Sequence, residues 1–149
     1  MIKFQTDRLI AKSNLIINSY GFEYPQSSTE IDIFAPPVNK AENTGFAFYL
    51  NESDSIPIVH IDILNKRNNI ELSYGTDINF RNKGYAKEAL YNTCSWIFKN
   101  TKIDKLYAYV NPNNKESISV LERTGFKIES DNSRVICYYI TPPNLSQQH

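Results

Sequence analysis

A short loop between a strand-like run and a helical run constrains this chain more than any other feature. Residues 70–76 resemble a strand, residues 85–99 resemble a helix, and the loop between them contains Arg81-Asn82-Lys83-Gly84. The first N–H groups of a helix have no partner inside it, and the helix dipole makes that end positive. The two cations add charge, and glycine lets a ligand approach the backbone closely. The loop therefore predicts a pyrophosphate site and a nucleotide-like cofactor.

Length and charge limit the classes of protein that fit. The 149 residues suit one domain, and 41% of them are hydrophobic, which is enough to bury a core. The net charge is zero, but residues 1–75 carry nine acidic and six basic side chains, and residues 76–149 carry seven and ten. The basic half contains the loop, whereas the acidic half could attract a cationic substrate. Because the chain has no dense basic tract, we expect no nucleic-acid partner.

The cysteines and the N-terminal residues bear on the compartment. Cys94 and Cys137 lie far apart without metal-ligand spacing, so we expect reduced thiols and no metal site. Residues 1–8 have no apolar signal core, and no apolar run approaches the length of a membrane span. We therefore expect a cytoplasmic monomer or homodimer that does not engage a membrane.

Periodicity along the chain predicts a mixed α/β sheet. The pattern predicts strands at 2–10, 45–50, 56–64, 70–76, 105–110, 126–129 and 135–140, and helices at 85–99 and 115–124. Residues 13–35 leave two options open, a helical piece near 15–20 and an extended piece near 30–34. The strand–helix–strand unit across 70–110 predicts a parallel pair of strands. Gly125 is expected to end the second helix.

Four runs, correctly ordered, resemble the GNAT acetyltransferase superfamily. Arg81-x-x-Gly84-x-Ala86 is similar to its acyl-CoA signature, Arg/Gln-x-x-Gly-x-Gly/Ala. Three further runs resemble the branch that contains ribosomal-protein N-terminal acetyltransferases: Glu71-Leu72-Ser73-Tyr74, Gly84-Tyr85-Ala86-Lys87-Glu88-Ala89-Leu90, and Asn114-x-x-Ser117-x-x-x-Leu121-Glu122-x-x-Gly125-Phe126. The pair Arg8-Leu9 also resembles the usual opening of that branch.

The resemblance implies one domain over residues 1–149, with a mixed central sheet of about six to seven strands flanked by helices. It implies an N-acetyltransferase in which a primary amine, of a peptide N-terminus or a small molecule, attacks acetyl-CoA directly in a ternary complex. A bulge after Tyr74 would free backbone groups to bind the pantetheine arm. The implied acetyl-CoA contacts are Thr76, Ile78, Arg81, Asn82, Lys83, Gly84, Tyr85, Ala86, Lys87 and Asn114. For Asn114, a plain helix cap is the competing interpretation.

The resemblance also implies catalytic roles for two residues. Ser117 corresponds to a serine that can protonate the leaving thiolate, and Leu121 stands where many GNAT enzymes have a tyrosine. The competing role of Ser117 is a hydrogen bond within its own helix. Glu71 is the candidate base, acting directly or through water, with an exposed or ion-paired strand residue as the alternative. His60, on the neighbouring strand, is a weaker base candidate, since lone strand histidines are usually structural.

Other side chains receive roles from their position alone. Tyr138 and Tyr139 are candidates for the mouth of the acceptor site, and Cys94 is expected in the core. The alternative to an enzyme is a module that binds acyl-CoA without turnover and serves as a protein-interaction surface. Release of free thiol from acetyl-CoA separates the two hypotheses.

Overall fold

Strands dominate the part of the chain that the computed structural model describes, which is residues 1–18, 21–25, 40–52, 56–66 and 69–145. The strands are β1 (Ile2–Gln5), β2 (Leu9–Ser13), β3 (Ile16–Asn18), β4 (Gly21–Glu23), β5 (Gly45–Leu50), β6 (Val59–Lys66), β7 (Asn69–Thr76), β8 (Leu106–Val110), β9 (Lys127–Asp131) and β10 (Ile136–Ile140). The α-helices are α1 (Lys40–Thr44), α2 (Tyr85–Asn100) and α3 (Lys115–Thr124), and short 3-10 helices span Ile78–Phe80 and Pro142–Asn144.

Eight of the strands form one mixed sheet in the order β1-β2-β5-β6-β7-β8-β10-β9, and β3 and β4 form a separate hairpin. Within this sheet β7 and β8 pair in parallel, and the other neighbours are antiparallel. The mixed α/β class and the parallel pair around α2 are confirmed. The sheet exceeds the predicted six to seven strands because residues 2–10 form two strands, with a turn between them in which Thr6 N–H donates to the Leu9 carbonyl at 2.8 Å.

Local signals set the ends of the second and third helices. The Asn114 side chain accepts a hydrogen bond from Ser117 N–H at 3.1 Å and caps α3 at its start. Gly125 ends α3 in the left-handed region, at φ 116°, as predicted for a glycine at that position. The Thr101 hydroxyl donates to the Ile97 carbonyl at 2.7 Å and satisfies an end carbonyl of α2.

The segment before α1 departs from the sequence prediction. Residues 16–18 are a strand paired with β4, so the predicted helical piece near 15–20 is wrong where it is described. The predicted extended piece near 30–34 lies outside the described residues. β6 begins at Val59 rather than at residue 56, because Pro57 has no N–H to donate to a strand ladder.

The two faces of the sheet differ in chemistry. Alternate residues such as Ile61, Ile63 and Leu72 are buried on what we call the helix face. The Trp96 ring of α2 lies 6.1 Å from the ring centroid of Phe4 and 5.6 Å from that of Phe46 on this face. The other face, which we call the polar face, carries His60, Asp62, Glu71, Ser73 and Tyr107.

Candidate active site

The loop between β7 and α2 is held in a backbone conformation that exposes the start of α2. Asp77 accepts a hydrogen bond from Asn79 N–H at 2.9 Å and begins the short 3-10 helix. Asn82, at φ 63°, and Gly84, at φ 81°, both adopt the left-handed region, which favours glycine and tolerates asparagine. Gly84 precedes α2 and offers no side-chain cap, so the first N–H groups of the helix stay available to a ligand.

The structure brings most of the predicted cofactor residues to this one end of β7. Thr76 ends the strand, and the Arg81 Nε–H donates to the Thr76 carbonyl at 3.1 Å. Ile78 is 73% exposed on the 3-10 helix. The rest follow in the loop or in the first turn of α2: Asn82, Lys83, Gly84, Tyr85, Ala86 and Lys87. Asn114 stands apart at the start of α3, where its side chain acts as the helix cap.

An ion pair that was not predicted from the sequence connects the loop to the turn between β1 and β2. The Arg8 Nε–H donates to Glu88 Oε1 at 2.6 Å, and the Arg8 backbone N–H donates to Glu88 Oε2 at 2.9 Å. Arg8 also donates to the Lys83 carbonyl at 2.8 Å, and its guanidinium lies 4.1 Å from the centre of the Tyr85 ring. Arg8 therefore contacts the end of the loop at Lys83 and the first turn of α2 at Tyr85 and Glu88. In the sequence, the Arg8-Leu9 motif was the feature that singled out this arginine.

Glu88 is an ionised group within this contact. Burial raises the pKa of Glu88, but hydrogen bonds from Thr6 and Arg8 and the Arg8 charge outweigh burial and leave the pKa below its ordinary value of 4.5. The Thr6 hydroxyl donates to Glu88 Oε2 at 2.5 Å. The carboxylate thus holds residues of the N-terminal turn and of α2 together through charge-assisted hydrogen bonds.

A gap opens between β7 and β8 next to the loop. The parallel register of these fully described strands consists of the single pair Glu71↔Tyr107, so the backbone ladder between them ends there. The bulge predicted after Tyr74 is wrong, since the β6–β7 register runs without a shift from Lys66↔Asn69 to Val59↔Thr76. The free backbone edge of β7 arises because β8 diverges from it, and its polar groups can bind an extended ligand.

Tyr74 reaches from β7 to α3 on the helix face. Its hydroxyl donates to the Ser117 carbonyl at 3.0 Å. Burial raises the pKa of Tyr74, and the Ser117 side chain opposes part of that increase, so the phenol remains a protonated donor beside Ser117. In the sequence, Tyr74 stands out only as a motif residue, and nothing there indicates its contact with Ser117.

Glu71 lies on the polar face where β7 and β8 still pair. Its Oε2 is 4.0 Å from Lys66 Nζ, and its side chain is 17% exposed. A hydrogen bond with Cys137, followed by burial and the charge of Glu71, raises the pKa of nearby Tyr109. Glu71 and Ser117 do not meet on one side of the sheet, because Tyr74, which contacts Ser117, is three residues from Glu71 and projects from the other face.

The two tyrosines predicted at the acceptor mouth lie on different faces. Tyr138 is 2% exposed on the helix face, where its hydroxyl donates to Glu122 of α3 at 3.2 Å, so it cannot line an open mouth. Tyr139 lies on the polar face with Lys105 Nζ 4.7 Å from its ring centre. Cys94 is fully buried in α2, and burial raises the pKa of its thiol, in agreement with the predicted core position.

A cavity of about 590 Å³ lies away from the loop, at the ends of the strands where β7 and β8 begin. Its lining includes Gly21, Asn65, Asn69, Asp104 and Tyr107. Since the loop and the gap follow the opposite ends of these strands, the cavity is separate from the candidate site. Over the described ranges, no cluster of three or more His, Cys, Asp or Glu could hold a metal ion, and no helix is long and apolar enough to cross a membrane.

The loop, the gap and the parallel pair agree with a sequence-profile match to the family described as "Acetyltransferase (GNAT) domain", which covers residues 6–127. The chain belongs to the GNAT acetyltransferases. The family assignment drawn from the motifs is therefore confirmed. The sequence has no significant match among curated proteins.

Solved GNAT structures share this fold at low sequence identity. A GNAT-family acetyltransferase from Bacillus anthracis is 20% identical, with a TM-score of 0.68 over 94% of this chain and 98% of the other. Ribosomal-protein-S5-alanine acetyltransferase from Vibrio fischeri is 17% identical, with a TM-score of 0.64 over 99% and 100% of the two chains. Mycobacterium smegmatis RimJ in complex with CoA-disulfide is 21% identical, with a TM-score of 0.58 over 69% and 55%. At these identities the likeness establishes the fold alone.

We expect Glu88→Gln to destabilise the protein at neutral pH and to weaken the dependence of its unfolding free energy on pH in the acidic range. Because folding lowers the pKa of Glu88, the ionised form stabilises the native state above pH 4.5, and this contribution disappears as pH falls through the folded-state pKa. At pH 7 the variant should lose about 1–3 kcal/mol of unfolding free energy. Urea unfolding from neutral to acidic pH measures both effects, with the exposed turn variant Glu52→Gln as control. If Glu88→Gln unfolds with the same pH dependence as the wild type, ionised Glu88 does not stabilise the native state.

Proposed function

We propose that this GNAT acetyltransferase uses acetyl-CoA as its co-substrate and acetylates a primary amine by direct attack in a ternary complex. The observation that carries the proposal is the free edge of β7 running directly into the loop at the start of α2. An extended thioester arm can pair with such an edge, while its pyrophosphate meets the N–H groups of the helix. One continuous surface therefore suits both parts of coenzyme A.

The residues along this surface fit the chemistry of the co-substrate. Thr76 and Ile78 are proposed to bind the pantetheine arm at the end of β7. Arg81 and Lys83 are exposed cations beside the uncapped helix, and they supply charge for the pyrophosphate. Backbone N–H groups of the loop and of the first turn of α2 are proposed to complete the contacts with the pyrophosphate. They belong to Asn82, Gly84, Tyr85, Ala86 and Lys87. Asn114 is proposed to reach the pantetheine arm while it caps α3.

Ser117 and Glu71 are proposed to act from opposite faces of the sheet, next to the gap between β7 and β8. Ser117, in the first turn of α3, would give a proton to the departing thiolate on the helix face. Glu71 on the polar face can hold the ammonium form of an amine, or take its proton through water. The hydrogen bond from Tyr74 to the Ser117 carbonyl supports the role of Ser117, because it holds the first turn of α3 against β7.

The acceptor is proposed to be a peptide N-terminus or a small-molecule amine. The motif at residues 114–126 supports the branch that contains ribosomal-protein N-terminal acetyltransferases, and the Vibrio fischeri neighbour is named for the alanine of a ribosomal protein. The profile match over residues 6–127 supports one catalytic domain spanning residues 1–149.

Release of free thiol from acetyl-CoA tests the proposal. The purified protein is mixed with acetyl-CoA and, in turn, a peptide that begins with alanine, a polyamine and an aminoglycoside. At least one amine should accelerate thiol release, and mass spectrometry should show the acetylated amine. Acetyl-CoA at 100 times its Kd should also stabilise the fold by about 2.7 kcal/mol. Stabilisation without amine-dependent thiol release would favour the non-catalytic module.

We expect Gly84→Glu to abolish coenzyme A binding. The new carboxylate repels the pyrophosphate, and its Cβ lies 3.3 Å from Arg8 Nη2 in a backbone conformation, φ 81°, that disfavours side chains. Calorimetry should show at least ~100-fold weaker binding, which corresponds to about 2.7 kcal/mol. Gly84→Asn is the matched control, because asparagine tolerates this conformation and carries no charge. Equal affinity in Gly84→Glu and wild type would remove the loop from the site.

We expect Ser117→Ala to lower kcat without weakening coenzyme A binding. Loss of the general acid should reduce kcat by roughly 10²-fold, while the Kd for coenzyme A stays within about twofold because the backbone carbonyl that accepts the Tyr74 hydrogen bond remains. Ser119→Ala, on the same helix, is the control and should retain the wild-type rate. An unchanged kcat in Ser117→Ala would exclude it as the acid.

A further inference from the structure

His60 occupies the space that a side chain at Gly75 would fill. The two residues are Cα partners in the β6–β7 register and share the polar face. A Cβ built on Gly75 would lie 2.6 Å from His60 Cε1 and 2.9 Å from His60 Nε2. The imidazole therefore rests directly on the Gly75 backbone, one residue before Thr76, on the strand that borders the gap.

Asp62 stands beside the imidazole on the same strand and face. Its Oδ2 is 4.0 Å from His60 Nε2, and its Oδ1 accepts a hydrogen bond from the Thr44 hydroxyl at 2.9 Å. The carboxylate therefore stands on the Nε2 side of the ring. The His60 side chain is 48% exposed, so the ring is accessible to a ligand on the polar face as well as fixed against β7.

We propose that His60, assisted by Asp62, is the base that deprotonates the acceptor amine on the polar face. The inference rests on the proposed acetyl transfer. Of the two roles proposed for Glu71, it leaves Glu71 to hold the ammonium form of the amine and assigns the proton transfer to His60. An imidazole exchanges protons near neutral pH, where a primary amine is mostly protonated. Its place on Gly75 brings it beside the β7 edge proposed to hold the thioester arm.

His60 takes one proton from the ammonium group and later releases it to solvent. The free amine forms a C–N bond to the thioester carbonyl carbon, and the C–S bond breaks. The attacking nitrogen then loses a second proton to solvent, and the leaving thiolate gains one from Ser117, which recovers it from solvent. The products are an amide, a thiol and one released proton.

Other titratable groups that face this part of the sheet are already engaged. Glu42 of α1 is buried and accepts a hydrogen bond from the Tyr49 hydroxyl of β5 at 2.9 Å. On β7, Glu71 lies near Lys66 at 4.0 Å. On β8, Tyr109 has a raised pKa, first because of its hydrogen bond with Cys137. Asp62 is the charged group that lies 4.0 Å from the imidazole. Lys12 of β2 lies across Ala47 from His60 on the same face, with its Nζ 4.9 Å from the centre of the Tyr49 ring.

The pH dependence of kcat/KM tests the proposal, using wild type, His60→Gln and Glu71→Gln with the fastest amine of the panel. His60→Gln should lower kcat/KM by about 10²-fold at pH 7. The deficit should shrink as pH rises toward the pKa of the amine, because the acceptor then loses its proton unaided. A merely structural histidine would give a deficit independent of pH. Glu71→Gln should show the same fall of kcat/KM toward acidic pH, which we call the acid limb, as the wild type.

The outcomes separate the two proposals. If no amine accelerates thiol release by the wild type, the acetyl-transfer proposal falls and His60 falls with it. If the wild type is active and His60→Gln keeps its rate and acid limb, or Glu71→Gln loses that limb, the His60 inference alone is overturned. His149→Gln, which changes the second histidine of the chain, is the control and should match the wild type.

Gly75→Ala provides an independent variant. The added methyl group should displace the imidazole from this position, since its closest contacts are His60 ring atoms rather than backbone. If Gly75 acts through His60, Gly75→Ala should lower kcat/KM, and the double variant with His60→Gln should be no slower than His60→Gln alone. In the wild-type protein, the NMR signal of the His60 Cε1–H should also move when coenzyme A is added. Additive losses or an unmoved signal would contradict the placement of His60 beside the site.

Discussion

The pairing of β7 with β8 at Glu71↔Tyr107 alone is the constraint on which the site depends. Each strand has a full partner on its other side, β6 with eight Cα pairs and β10 with five, so the two can separate without leaving the sheet. The backbone edge that β8 leaves without a register partner belongs to the end of β7. They lie beside the loop that begins α2, and this proximity unites an extended binding edge with an anion-binding helix end.

The alternation of side chains along β6 and β7 divides the proposed chemistry between two faces. Ser117 lies with Tyr74 on the helix face, while Glu71, His60 and Asp62 project from the polar face. An acid and a base on opposite sides of a sheet meet different environments, so each can keep the protonation state its task needs. The acceptor would then approach from one side while the thiolate is protonated on the other.

The ion pair between Arg8 and Glu88 joins the N-terminal turn to the start of α2 beside the loop. It joins residues 80 positions apart in the sequence, and it is buried on the Glu88 side, where the exposed side-chain fraction is 9%. A charge-assisted pair at 2.6 Å with further hydrogen bonds is stronger than an exposed surface ion pair. The N-terminal turn therefore belongs to the support of the loop, although it contributes none of the predicted cofactor contacts.

The sequence by itself determined the elements whose causes are local. α3 matches its predicted bounds because Asn114 and Gly125 are adjacent to the turns they cap, and β5 matches because its aromatic run is continuous. The order of the motifs also determined the family. Tertiary structure alone decided the division of residues 2–10, the β3–β4 hairpin, the separation of β7 from β8 and the burial of Tyr138. It likewise placed Arg8 on Glu88 and His60 on Gly75, because periodicity reports neighbours within one element and carries no record of contacts between distant strands.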